Sequence, residues 1–317
     1  MHTMYPGDIT KVHGIRVGQV HNESARTGVT LVLAPKEGAV GGVSVRGAAP
    51  GTRETDVLKP GNLVDKAHAV VLSGGSAYGL AAADGVMRYL SQNGIGIDMQ
   101  VARVPIVPAA VLFDLAVGAA NVYPDAAMGQ AACMAAAKGV QQGRYGAGAG
   151  ATVGKLVQQT IPHSGGVGSA SLTLPEGVTV GAIVAVNAVG DIYHPDTNEC
   201  IACAKMQDGT PVRADGLLFG HAPAKQPIRI PAPGSNTTIG VIAVDCKLTK
   251  AEANRLADVA HDGLARTIRP VHTQMDGDTL FALATERVDA EVNFVKLCAA
   301  AAEVTARAVA NAILSQV

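Results

Sequence analysis

Residues 234–245 read "GSNTTIGVIAVD": a serine, an asparagine and two threonines lead into an apolar run, behind the proline-rich approach "HAPAKQPIRIPAP". A hydroxyl is a weak nucleophile and needs a base beside it. "LSGGSAYG" offers Gly74 for a G-x-S-x-G elbow but has Tyr78 where the second glycine belongs, so Ser76 reads as a helix cap. Another arrangement needs no histidine. The chain cuts itself before the nucleophile, and the freed α-amine, with a pKa of about 7.7–8.0, becomes the base. Such a site calls for a small, strained, exposed bond at the start of a buried strand. The bond between Asn236 and Thr237 has that setting. A simple turn accounts for the same residues without chemistry.

Further residues could serve such a nucleophile. "HTQMDGDTLFAL" sets Asp276 and Asp278 around Gly277 just before a strand. It reads as a turn, or as a carboxylate pair that orients a nucleophile and tunes its proton. His272 stands four residues before Asp276. In "GAGAGATVGKL", Ala149 and Leu156 break the phosphate-loop pattern at two positions. What remains is a glycine-rich turn ending in Lys155, either a solvated lysine or a cation aimed into a cleft. Asn187 closes the apolar run "AIVAVN", where a buried amide must find partners in a local turn or at an oxyanion. The nine histidines form no H-x-x-x-H cluster, and Cys200-Ile201-Ala202-Cys203 is a lone C-x-x-C, so no metal or other cofactor is expected.

These residues need strands and helices to hold them. "GIRVGQV", "GVTLVLA" and "GAVGGVSVRG" read as a β-meander. "HAVVLSGG" is a buried strand, and "SAYGLAAADGVMRYLSQ" a helix stopped by Asn93-Gly94. "AAMGQAACMAAAKG" is a second helix, while "GGVGSASLTL" and "VTVGAIVAVNAVGDIY" are extended. Thr249 with Glu252 forms a capping box at the head of a helix ending near Ile268. "DTLFALATERV" is a strand and "NFVKLCAAAAEVTARAVANAILS" a long final helix. With no repeat or linker, residues 1–317 read as one α/β domain whose helices lie outside mostly antiparallel sheets.

Composition narrows the partners. With a net charge of −1, no Trp and 3% aromatics, the chain has neither the basic patch nor the stacking surface of a nucleic-acid binder. No run of about 18 uninterrupted apolar residues appears, so no membrane span is expected. The opening "MHTMYPGDITKVHG" shows no basic-then-apolar signal pattern, so no signal sequence is expected, and five scattered cysteines suit a reducing cytoplasm.

Taken together, "GIRVGQV…TGVTLVL", "LSGGSAYGL", "PAAVLFDL", "GAGAGATVGK", "NTTIGVIAVD" and "HTQMDGDTLFALAT" span nearly the whole chain. The pattern resembles the self-processing aminopeptidase family typified by L-aminopeptidase/D-esterase, which includes the β-peptidyl aminopeptidases and the nylon-oligomer hydrolase. It looks most like the last branch. The resemblance implies a four-layer αββα sandwich of Ntn-hydrolase type with its own connectivity. It also implies autocatalytic cleavage into pieces 1–236 and 237–317, and a homo-oligomer, a tetramer of α/β heterodimers. The expected substrate is a small peptide or amide. Register favours Thr237 over Ser235, because the family's nucleophile stands eight residues before an aspartate, as Thr237 does before Asp245. By the same resemblance Asp276 and Asp278 are the acidic pair, Lys155 the cleft lysine and Asn187 the amide facing the oxyanion. Gly74, Gly75 and Phe113 are candidates for the substrate pocket. Phe113 is a departure: members usually carry a tyrosine there, and the missing hydroxyl weakens any transfer of the family's substrate preference and implies slower processing or turnover. Acyl transfer of the ornithine acetyltransferase type, and a catalytically silent homologue, are the alternative readings.

Overall fold

The computed structural model describes residues 2–156, 160–220 and 235–316. The proline-rich approach at 221–233 and Gly234 lie outside the described residues.

Two sheets form the centre. The first contains β1 (Arg16–Asn22), β2 (Thr27–Leu33), β4 (Thr52–Arg53), β6 (Ala69–Ser73) and β7 (Ala109–Val111), in spatial order β1-β2-β6-β7-β4. The second contains β3 (Ala39–Val45), β5 (Lys66–Ala67), β8 (Gly166–Thr173), β9 (Thr179–Asn187), β10 (Thr237–Val244) and β11 (Thr279–Ala284), in order β8-β9-β10-β11-β3-β5. The expected meander therefore breaks after its first hairpin. β1 and β2 pair, but β3 crosses to the second sheet and lies against β11. Alternation marks which side chains are buried and carries no information about which strand lies alongside.

Helices α1 (Ala82–Gln92) and α2 (Ala126–Met134) cover the first sheet, and α4 (Lys250–Thr267) and α5 (Phe294–Leu314) cover the second. A short α3 (Ala214–Leu218) lies apart from them. The four layers follow from how β9 and β10 divide their side chains. Val180, Ala182, Val184, Ile242 and Val244 face α4 and α5, while Ile183, Ala185, Ile239, Val241 and Ala243 face the first sheet. A strand covered on both faces must be apolar throughout, and every residue of β10 is buried. Close approach needs glycine in places: a Cβ on Gly168 would lie 1.9 Å from the Ala308 carbonyl of α5. By length and hydropathy α5 could span a bilayer, yet 72% of its apolar window is buried inside the protein.

Thr249 and Glu252 form the capping box at the head of α4. Ser76, in contrast, caps nothing. Gly75 (φ 78°) and Ser76 (φ 54°) open a 3-10 segment, and α1 begins after Ala81 without a side-chain cap. The turn off β6 is too tight for an extended N-cap residue.

The chain leaves β10, crosses through α4 and returns as β11 parallel to it, with Ile239 opposite Thr279. Parallel strands start at the same end of a sheet. Residues just before β10 and just before β11 are thereby neighbours, although about forty positions separate them.

Candidate active site

The N-terminal ends of β10 and β11 meet the C-terminal end of antiparallel β9. Thr237 pairs with Asn187 across β10 and β9, and Asn236 bridges to Asp276 on the other side. Thr237, Asn187, Asp276 and Asp278 are all nearly fully buried. The Asn236–Thr237 bond is buried as well, with Asn236 0% exposed, which corrects the expectation of an exposed bond. Its neighbours are the starts of two core strands, so in the uncut chain it is sheltered from water.

The Thr237 hydroxyl donates to the Asn236 carbonyl at 2.5 Å, and the Gly277 N–H donates to the same oxygen at 2.9 Å. The carbonyl that precedes the threonine is thus polarised by a backbone donor and flanked by a hydroxyl. Asn236 Oδ1 is buried with no partner among the described residues. An orphaned buried acceptor costs about 1–3 kcal/mol.

Asn187 uses both ends of its amide. Oδ1 accepts from the Thr152 N–H at 3.0 Å and from Lys155 Nζ at 2.9 Å. Nδ2 donates to the Phe113 carbonyl at 3.1 Å and to the Ser235 carbonyl at 3.4 Å. Lys155 is half-buried rather than solvated, and Nζ also donates to the carbonyls of Asn187 (3.1 Å) and Ser235 (3.3 Å). Two donors therefore converge on the residue preceding the Asn236–Thr237 linkage.

The aspartates divide their work. Asp278 Oδ1 accepts from the Thr238 N–H at 2.7 Å, and Oδ2 accepts from the His272 N–H at 3.2 Å and lies 2.7 Å from His272 Nδ1. Asp276 Oδ2 accepts from the N–H and hydroxyl of Thr273, at 2.8 and 2.6 Å. Burial, then the charge of Asp278, pushes the Asp276 carboxyl up to about 6. One member of the pair is thereby poised to exchange a proton near neutrality.

Gly74, Gly75 and Phe113 are placed differently. The Gly74 N–H donates to the Gly28 carbonyl and that of Gly75 to Asp114 Oδ1, at 2.9 and 2.7 Å. Neither N–H is free to hold a substrate carbonyl. Phe113 reaches the cluster through its backbone carbonyl. His272 and Gly277 are the participants whose roles the sequence left unread. The T-x-x-D spacing of Thr273 to Asp276 signals a local turn but does not aim the glycine N–H between the aspartates.

Comparison with known proteins adds to this geometry. The model of peptidase family S58 matches residues 7–316. A Mycobacterium tuberculosis protein named as an uncharacterized aminopeptidase is 48% identical over 300 residues, covering 88% of this chain and 82% of that one. A 6-aminohexanoate-oligomer endohydrolase of Kocuria sp. is 36% identical over 278 residues, covering 87% and 74%. Among solved structures, the L-aminopeptidase D-Ala-esterase/amidase of Ochrobactrum anthropi superposes with a TM-score of 0.70 at 22% identity, over 98% of this chain and 87% of that one. Its fold is described as a variant of the Ntn hydrolases. A Burkholderia β-aminopeptidase gives a TM-score of 0.66 at 24% identity, covering 98% and 88%.

Proposed function

The chain belongs to peptidase family S58, a family of hydrolases of peptide and amide bonds, and from that premise we propose that Thr237 is its self-generated nucleophile. The observation that carries the reading is the Asn236 carbonyl, held between the Thr237 hydroxyl and the Gly277 N–H.

Self-cleavage proceeds as an N-to-O acyl shift. Thr237 Oγ attacks the Asn236 carbonyl carbon while the Gly277 N–H steadies the developing oxyanion. The hydroxyl proton passes to the departing nitrogen as the C–N bond breaks, so the Thr237 amine is freed and Asn236 is left as an ester on Thr237 Oγ. Water hydrolyses the ester, giving pieces 1–236 and 237–317. Departure of the new chain end also relieves the unpaired Asn236 amide oxygen.

In the processed enzyme the α-amine of Thr237 takes the proton from Oγ as the hydroxyl attacks a substrate carbonyl. Asn187 Nδ2 and Lys155 Nζ, which contact the Ser235 carbonyl in the uncut chain, turn toward the substrate oxygen. The protonated amine passes its proton to the leaving amine, and water releases the acyl group. Asp278 holds the strand start through the Thr238 N–H, and Asp276 supplies a second titrating group beside the amine. The hydrolase names of the relatives favour water over an amine as acyl acceptor. The substrate class is a short peptide or other small amide. A homo-oligomer in the cytoplasm is part of the same proposal, and light scattering of the purified protein tests the assembly.

Intact-mass measurement tests the chemistry. The wild-type protein yields two fragments, one beginning at Thr237, and Thr237→Ala yields a single chain. A wild-type chain that stays whole after prolonged incubation across the neutral pH range overturns the proposal.

A further inference from the structure

A second cluster lies away from the threonine. A pocket of about 380 Å³ is lined by His21, Glu23, Arg26, Arg144, Tyr145 and Ala149. Most arginines here hold a carboxylate: Arg46 pairs with Asp258, Arg53 with Asp84, and Arg266 and Arg307 with Glu303. Arg26 and Arg144 form no ion pair and no side-chain hydrogen bond among the described residues, although Glu23 lines the same pocket. Arg26 Nε is buried without a partner. Burial, and then the nearby charge of Arg144, lower the affinity of Arg26 for its proton. Two like charges facing one pocket, one of them half-buried and unpaired, constitute an uncompensated electrostatic cost.

The hairpin that carries Arg26 is anchored through its backbone. Arg26 occupies the left-handed region (φ 51°) in the hairpin between β1 and β2, a conformation costing roughly 1 kcal/mol or more for a non-glycine residue. Asn22 Oδ1 fastens that hairpin by accepting from the Ala25 N–H and the Ser24 hydroxyl, both at 2.9 Å. The Arg26 carbonyl packs on Gly150, where a Cβ would lie 2.0 Å away. At the rim the His21 ring meets Tyr145 edge-on, with centroids 5.4 Å apart. A planar guanidinium fork presented from such a turn matches the oxygens of a carboxylate or phosphate.

We infer that Arg26 and Arg144 form a binding site for a small anion, a carboxylate or a phosphate. The site adjoins the catalytic residues through the glycine-rich segment: Gly150 touches Arg26, and two residues on the Thr152 N–H holds Asn187 Oδ1. Two sources supply the anion: the free carboxylate of a short substrate, or a separate small anion.

Calorimetric titration of the purified protein with inorganic phosphate at low ionic strength tests the inference without requiring turnover. Failure of the threonine mechanism would leave this result untouched. Wild type binds saturably, and the affinity falls as potassium chloride is added. Arg144→Gln, a change at an exposed side chain, weakens binding about ten-fold or more, and Arg26→Gln/Arg144→Gln abolishes it. Absence of saturable binding by wild type, or equal affinity in Arg144→Gln, overturns the site. A second arm identifies the source. If Arg144→Gln raises KM for a peptide with a free carboxylate and not for its C-terminal amide, the anion belongs to the substrate. If neither KM moves while phosphate binding weakens, a separate anion is the ligand.

Discussion

The N–H of Gly277 donates at 2.9 Å to the carbonyl of Asn236, the oxygen that the Thr237 hydroxyl reaches at 2.5 Å. The turn between two buried aspartates thereby supplies the donor for the bond proposed to break. A well-aimed donor to a developing oxyanion is worth about 10²–10³ in rate.

Gly277→Ala tests that donor. A Cβ there would lie 2.6 Å from the Ala49 carbonyl and 2.8 Å from Thr237 Oγ, so the turn must shift. Self-cleavage slows by about 100-fold, at a stability cost of about 1–3 kcal/mol. Intact mass against time reads the first effect and urea denaturation the second. Cleavage at the wild-type rate in the folded variant would remove Gly277 from the mechanism.

Lys155→Met removes the cation on Asn187 and on the Ser235 carbonyl while keeping much of the side chain's bulk. Processing and turnover both fall, by about 10²-fold each. Lys155→Arg restores little, because a planar fork cannot reproduce the geometry of a point donor. The measurement is cleavage half-time, followed by kcat on a broad panel of aminoacyl amides.

Two buried groups give opposing pH slopes. The Asp276 carboxyl rises from 3.8 to about 6, burial being the largest cause. Between those values the folded chain keeps a proton that the unfolded chain releases, so this group lowers stability as pH rises. Burial pushes the His261 imidazole from 6.5 down to about 4. Here the unfolded chain gains the proton first, and stability present above 6.5 is lost as pH falls. Relative to wild type, Asp276→Asn steepens the acid loss and His261→Gln flattens it. Urea midpoints of the uncut Thr237→Ala background across this range measure both; equal profiles for the two variants would contradict the assignment.

Phe113→Tyr restores the hydroxyl that the family resemblance expects. Phe113 already touches the cluster through its carbonyl on Asn187 Nδ2, so the backbone need not move. Turnover rises by about ten-fold, within the range of a positioned proton donor. An unchanged kcat/KM would mean that this phenylalanine is not turned toward the reacting carbonyl.

Several elements were legible without coordinates because their signals are local. The capping box of Thr249 and Glu252 starts α4, and Asn93-Gly94 ends α1. The burial of β9 and β10 on both faces shows in their near-continuous apolar runs. Ser76 misled, because hydroxyl-then-helix describes a cap only if the residue is extended, and here φ is 54°. His272 was visible only as a neighbour in sequence; its ring reaches Asp278 because the backbone turns through φ 55° there.

The sequence by itself determined one α/β domain with helices outside largely antiparallel sheets, and the strand that begins at Thr237, because local propensity and side-chain period are enough for those. The four-layer αββα class followed from the family resemblance, and the residues alone left Lys155, Asn187, Asp276 and Asp278 open between local turns and chemistry. Only the tertiary structure decided that β3 joins the second sheet, that the Asn236–Thr237 bond is buried, and that the Gly277 N–H rests on the Asn236 carbonyl. Each depends on which strands lie side by side. The parallel return of β11 beside β10 brings residues 236 and 277 together, and no local pattern encodes that pairing.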